Sequence, residues 1–63
     1  ITPEQAKEVV LKAYPNAKNV SVFTDRDDHK VEYEVYFSTD KFRGQADVNP
    51  ETGALGDVEL KYY

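Results

Sequence analysis

Apolar residues at the start of the chain follow the spacing of a helix. They recur at i, i+3, i+4, i+7 and i+8 and form one stripe: Ala6, Val9, Val10, Ala13 and Tyr14. Thr2 is a favourable N-cap, with Pro3 at the first helical position and Gln5 where a capping box needs it. Pro15 disfavours helix at the residue before it. The sequence therefore predicts an amphipathic helix from Pro3 to about Tyr14.

The rest of the chain alternates apolar and polar residues with period two, which is typical of half-buried antiparallel strands. In residues 30–38, for example, one face is formed by Val31, Tyr33, Val35 and Phe37. The predicted strands are residues 19–25, 30–38, 42–48 and 54–63, and the predicted turns are residues 26–29, 38–41 and 49–53. Gly56 stands where the alternation changes phase, and this predicts a bulge in the last strand.

These elements predict a single α+β domain over residues 1–63. Four consecutive strands joined by short turns indicate an antiparallel meander sheet with one apolar face, and that face must be buried against another layer. The N-terminal helix is the element available to cover it. Gly44 and Ala46 are small, and we expect them to leave room for the helix. The opposite face of the sheet has no second layer within this chain.

Composition and charge exclude several classes of function. A chain of 63 residues buries about 60% of its unfolded surface, so its stability is marginal. It has no cysteine and one histidine, which excludes disulfides, thiolate metal sites and a zinc site built from histidines. A net charge of −4 argues against nucleic acid and anionic membranes as partners. No run of 18 apolar residues exists, so no direct membrane insertion is predicted.

The acidic segment Asp25–His29 is the first candidate for chemistry. A calcium loop would carry oxygen ligands at positions 1, 3 and 5, glycine at 6 and glutamate at 12. Here positions 5, 6 and 12 are His29, Lys30 and Tyr36. The mismatch favours a solvated hairpin turn, with His29 as an exposed turn residue. We predict no metal site.

Glu32 and Glu34 lie two residues apart on one strand face and are the second candidate. Paired carboxylates can perform acid–base catalysis where a cleft shifts a pKa, but an open sheet face provides little burial. We expect these glutamates instead to pair across strands with Arg43 or Lys61. Ser21 and Ser38 lack the setting of a catalytic nucleophile. The sequence therefore predicts no catalytic residue, no cofactor and no enzyme activity.

Aromatic side chains on the uncovered face are the more informative feature. Phe23 and Tyr36 could be scattered surface aromatics, or they could be the anchors of a protein contact surface. The candidate partner-binding residues on this face are Phe23, Glu32, Glu34, Tyr36, Arg43, Gln45 and Lys61. The first and last strands are possible edges for strand addition by a partner.

The chain as a whole resembles a PepSY domain. The resemblance rests on the helix at residues 1–17, "V-x-V" at Val20 and Val22, an acidic turn, "YEVYF" at residues 33–37 and "ADVNPETGAL" at residues 46–55. The family's usual "DDG" turn is "DDHK" here, and "KFRGQADV" replaces a more apolar run. The resemblance implies a non-enzymatic module outside the bacterial cytoplasm, which binds and regulates or inhibits a protein, often a peptidase.

The leading hypothesis is therefore a non-catalytic protein-interaction module, secreted or at the cell envelope, that uses its open sheet face. The partner would be a protein, with a secreted or envelope peptidase as one possibility. The alternatives are a small-ligand or ion-sensing module, motivated by the acidic turn, and a structural spacer domain within a larger surface protein.

Overall fold

The fold is an α+β arrangement of one helix on a four-stranded sheet. The computed structural model describes residues 1–27 and 30–63, with the backbone alone at Asp27. Within these ranges lie a helix and four strands: α1 (Pro3–Ala13), β1 (Lys18–Asp27), β2 (Lys30–Ser38), β3 (Phe42–Val48) and β4 (Leu55–Tyr62). The strands pair antiparallel in the order β1-β2-β3-β4. This confirms the predicted meander. Helix α1 packs on one face of the sheet, against β1, β2 and β3.

Helix α1 begins with the predicted capping box. The Thr2 hydroxyl accepts a hydrogen bond from the Gln5 backbone N–H at 3.2 Å, and the Gln5 side chain accepts one from the Thr2 N–H at 2.8 Å. Ala6 and Val10 are fully buried. Ala13 is exposed, although it follows the spacing of the predicted apolar stripe. The helix ends at Ala13, and the Tyr14 ring covers the neighbouring part of the sheet instead.

The core lies between α1 and the face of the sheet that the alternation predicted to be apolar. Its fully or almost fully buried members are Ala6, Val10, Val35, Phe37, Ala46 and Val48. Val31 shares a face with Val35 but is 45% exposed. The reason is that β2 extends past β3, since Tyr33 and Val48 form the last pair between these two strands. Alternation therefore assigned the face of Val31 correctly but not its burial.

Gly44 has a different role from the one expected. It lies directly opposite Phe37 in the β2–β3 pairing. A Cβ added at Gly44 would lie 2.7 Å from both Cε atoms of the Phe37 ring, and closer still to its Cζ atom. The space that glycine leaves is therefore filled by this ring and not by the helix. Tyr14 and Phe42 pack around the same ring, with centroids 5.0 and 6.4 Å from that of Phe37.

Two bulges alter the pairing of the edge strands. In β4 the register shifts between the pairs Ala46–Val58 and Val48–Leu55, which confirms the bulge predicted at Gly56. A second bulge, which the sequence did not indicate to us, lies in β1 between Lys18 and Ser21. Asn19 adopts a left-handed conformation there, with φ of 54°, and asparagine tolerates this region better than most residues.

The hairpin from β1 to β2 differs in its boundaries from the prediction. β1 continues through Arg26 and Asp27, which were assigned to a turn at residues 26–29. The predictions for Asp28 and His29 lie outside the described residues.

The turn between β3 and β4 also holds the start of the chain. The Asn49 side chain accepts hydrogen bonds from the N–H groups of Glu51 and Thr52 at 2.8 and 3.3 Å, and Gly53 has φ of 75°. The ammonium group of Ile1 donates to the Pro50 carbonyl. The Tyr33 hydroxyl donates to the Ile1 carbonyl at 3.0 Å. The segment before α1 is thus fixed to the end of the sheet.

In the described part of the chain, no helix has the length and apolar character required to cross a membrane.

Replacing Gly44 with alanine is expected to destabilise the domain by about 2 kcal/mol, because the new methyl group overlaps the Phe37 ring and the packed core must shift. Gly56→Ala is the matched control, since its Cβ would lie 3.4 Å from its nearest neighbour, the Asp47 carbonyl oxygen. Urea unfolding monitored by circular dichroism measures both. Equal stability of the two variants would contradict the packing described for Phe37.

Val35→Ala is expected to lower the free energy of unfolding by about 2 kcal/mol, through lost apolar burial and the cavity left behind. Val31→Ala, on the same face of the same strand but 45% exposed, should change it by less than about 0.5 kcal/mol. A comparable loss at Val31 in thermal unfolding would show that its end of β2 is more buried than the structure indicates.

Candidate functional site

The sheet face opposite α1 is uncovered, and we call it the open face. Side chains alternate across a sheet, so the buried residues of each strand identify the neighbours that point the other way. The open face is formed by Ser21, Phe23, Asp25, Lys30, Glu32, Glu34, Tyr36, Ser38, Arg43, Gln45, Asp47, Glu59 and Lys61. The structure places all seven predicted partner-binding residues on this face: Phe23, Glu32, Glu34, Tyr36, Arg43, Gln45 and Lys61.

Phe23 and Tyr36 form an aromatic pair on the open face. Phe23 on β1 is 57% exposed and Tyr36 on β2 is 39% exposed. Their ring centroids are 5.5 Å apart at 73°, an edge-to-face arrangement. They meet because Phe23 lies opposite Glu34 and Ser21 opposite Tyr36, which makes the two aromatics diagonal neighbours across the strands. The pair therefore presents one continuous apolar surface to solvent.

The Tyr36 hydroxyl is held in place by a carboxylate of the same strand. It donates a hydrogen bond to Oε2 of Glu34 at 3.1 Å. This bond raises the pKa of Tyr36 above its usual value of 10.0, with smaller contributions in the same direction from desolvation and from the charges of Glu34, Asp25 and Asp47. A negative acceptor favours the protonated phenol. The hydrogen bond thus restrains the Tyr36 ring in its contact with Phe23.

The charges that lie directly opposite each other on the open face have the same sign, contrary to expectation. Glu34 lies opposite Asp47 and Glu32 opposite Asp25, while Arg43 lies opposite Lys61. The predicted pairing of Glu32 and Glu34 with Arg43 or Lys61 was therefore wrong. The ion pairs found in the described ranges are Glu4–Lys7 and Lys18–Asp40, and neither joins two residues of the open face.

The register explains this result. Alternation had assigned the glutamates and the basic residues to one face, but it does not determine which residues are opposite each other. The short connection from Ser38 to Phe42 places Arg43 opposite Ser38. Ser38 lies four residues along β2 from Glu34, so Arg43 is not a cross-strand neighbour of Glu34. Asp25 and Asp47 complete the acidic group and were absent from the predicted site. The continued alternation after Ser21 and Phe23 could have indicated Asp25.

A groove that the sequence did not indicate lies at the end of the sheet. It has a volume of about 710 Å³ and runs between residues 30–32 of β2 and the segments 47–51 and 54–57. It forms because β2 extends past the end of β3. The longer run of alternation in residues 30–38 than in residues 42–48 was the available signal. Its walls carry charges of both signs, including Lys30, Glu32 and Asp57.

The residues that the structure describes contain no group of three or more histidine, cysteine or acidic side chains placed to hold a metal ion. Part of the acidic segment weighed as a calcium loop, Asp28 and His29, lies outside those residues. β1 and β4 are the edges of the sheet, as predicted, so each leaves one side of its backbone unpaired within the sheet.

The fold defines the class of protein: a small α+β domain in which a capped N-terminal helix covers one face of a meander sheet. The chain belongs to the PepSY family, described as the peptidase propeptide and YPEB domain, whose family model matches residues 1–59. PepSY domains are propeptide or regulatory modules, generally non-catalytic and typically extracytoplasmic. No curated protein and no solved structure matches the chain.

Glu34→Gln is expected to lower the pKa of Tyr36 relative to the unchanged protein, because the hydrogen bond loses its charged acceptor. Glu59→Gln removes a carboxylate from the same face without touching this hydrogen bond, and should leave the pKa of Tyr36 almost unchanged. NMR titration of the Tyr36 ring resonances between pH 8 and 12 measures both. Equal effects of the two variants would show that general charge on the face, and not the hydrogen bond, dominates.

Proposed function

We propose that the chain is a non-catalytic, extracytoplasmic protein-interaction module of bacterial origin that regulates or inhibits a peptidase or another envelope protein through its open face. The observation that carries the proposal is the exposed aromatic pair Phe23–Tyr36 on an uncovered sheet face. Membership of a family of peptidase propeptides and regulatory domains supports a protein as the partner.

The composition of the open face suits recognition of a protein surface. Aromatic residues and arginine contribute most strongly to binding at protein interfaces, and they act best when surrounded by polar groups that exclude water. Here Phe23 and Tyr36 provide the apolar anchor. Glu32, Glu34, Arg43, Gln45 and Lys61 surround it. Because the Tyr36 ring is already oriented by Glu34, little side-chain freedom would be lost when a partner binds.

Small-ligand sensing remains the second candidate, and the groove beside residues 30–32 supports it. Such sites usually combine an apolar wall with a few convergent polar groups. In the described chain no buried side-chain polar atom lacks a hydrogen-bond partner, so this groove has no unpaired buried polar group to orient a ligand. The open face is therefore the better supported site.

The partner can be sought by affinity capture from secreted and envelope fractions of the source. The immobilised domain should retain a specific protein, and Phe23→Ala/Tyr36→Ala should reduce its retention at least tenfold. The matched control is Leu11→Ala/Val31→Ala, which truncates two exposed apolar residues away from the open face. Circular dichroism must first show that both variants are folded.

Two outcomes would contradict the proposal. Either no specific protein is retained by the unchanged domain, or both double variants retain the same protein equally well. If the captured protein is a peptidase, its hydrolysis of a peptide substrate should fall as free domain is added. The aromatic variant should be at least tenfold less effective as an inhibitor.

A further inference from the structure

Most charges of the open face occupy opposite corners. Asp25, Glu32, Glu34 and Asp47 form an acidic corner toward the β1–β2 hairpin. Arg43 and Lys61 form a basic corner, where β3 begins and β4 ends. Between the two corners lie the aromatic pair, the uncharged Ser21 and Gln45, and Glu59, which lies opposite Gln45. The face therefore has a charge direction that runs diagonally across the sheet.

Each corner keeps an excess of one charge within its own face. Lys30, two residues before Glu32 on β2, and Glu59, two residues before Lys61 on β4, offset only part of it. Like charges placed directly opposite each other across strands are destabilising, and this applies to Glu34 with Asp47, Glu32 with Asp25 and Arg43 with Lys61. Among the ion pairs of the described chain, none links the two corners. A surface that approached the open face with the reverse charge direction would compensate both corners at once.

A second copy of the same face has this reverse direction. A half-turn about an axis in the plane of the sheet brings two open faces together, and a suitably diagonal axis lays the acidic corner of each copy on the basic corner of the other. Two-fold interfaces of this kind are the commonest in oligomers, and they require such self-complementary surfaces. We propose that the open face binds a second copy of this chain face to face, with the aromatic pairs between the charged corners.

The size of the face predicts a weak dimer. Strand spacing and residue rise give the sheet a flat area of about 450 Å² per copy. The buried total of about 900 Å² lies below the standard size of stable interfaces and in the range of transient ones. The net charge of −4 per chain also opposes association at long range. We therefore expect dimers to form only at high concentration. Their stability should depend on the local pairing of charges between the two faces.

This inference goes beyond the proposed function, because it names a different occupant of the open face and needs no other protein. If both hold, self-association and partner binding compete for Phe23 and Tyr36. Concentrated domain would then keep the face covered, and dilution would expose it.

Sedimentation velocity from about 10 µM to about 1 mM tests the inference on the whole chain. The unchanged protein should shift from monomer to dimer over this range, and added salt should weaken the dimer because it screens the charges of the paired corners. The acid-to-base variant Glu34→Lys/Asp47→Lys and the base-to-acid variant Arg43→Glu/Lys61→Glu should each raise the dimer dissociation constant at least tenfold. An equimolar mixture of the two variants should restore dimers, because each corner again faces its opposite.

The control variant is Glu8→Lys/Glu51→Lys, which changes the net charge as Glu34→Lys/Asp47→Lys does but lies outside the open face. It should dimerise at least as well as the unchanged chain. Circular dichroism confirms folding of each variant before sedimentation.

Three results would overturn the inference: a monomer at every concentration, corner variants that dimerise like the unchanged chain, or a mixture that stays monomeric. A monomeric result would leave the proposed function intact, because affinity capture detects a different protein on the same face. Dimerisation without capture of any other protein would support the inference and contradict the proposed function.

Discussion

An α-helix rises about 1.5 Å per residue, so α1, with eleven residues, is about 16 Å long. Placed on a sheet whose strands are about 4.8 Å apart, it can cover three strands on one side. This limit determines the rest of the molecule. The covered side becomes the core, β4 is left partly exposed at the margin, and the other side of the sheet has no layer to bury it.

The covered side is completed by aromatic rings as much as by the helix. Phe37 lies over Gly44, and Tyr14 and Phe42 pack against that ring. The arrangement compensates for the shortness of α1, because the Tyr14 ring continues the cover beyond the last helical residue. Strand β2, which carries Phe37, also presents Tyr36 to solvent on the open face. A single strand thus contributes both to the centre of the core and to the candidate site.

Local sequence signals predicted the parts of this structure that depend on neighbouring residues. The capping box at Thr2 and Gln5, the alternation of Val35 with Tyr36 and the bulge at Gly56 are all determined within a few positions. The face of each candidate residue was also predictable, because the alternation is regular over the segments that carry these residues. Fold class and membership of the open face followed from these signals.

The register of the strands and the burial of individual residues were not predictable in the same way, because both depend on how separate elements align. The prediction that Glu34 would meet Arg43 or Lys61 was wrong because the β2–β3 connection sets the alignment, and Asp47 lies opposite Glu34 instead. The β1 bulge at Asn19 has a similar origin. Val31 had the right periodicity, but it lies where β2 extends past the end of β3. Ala13 also fits the periodicity but is exposed at the last position of α1. Burial at such ends is decided by the lengths of other elements.

The meander order of the strands has a consequence for how the chain folds. Each strand pairs with the next one in sequence, so the sheet can assemble through closure of short loops, which carry a small entropy cost. Proteins built from such local pairings fold faster than sheets that join distant segments. Docking of α1 across three strands is the step that brings together more distant parts of the chain. We therefore expect the hairpins to organise early and helix docking to complete the cooperative structure.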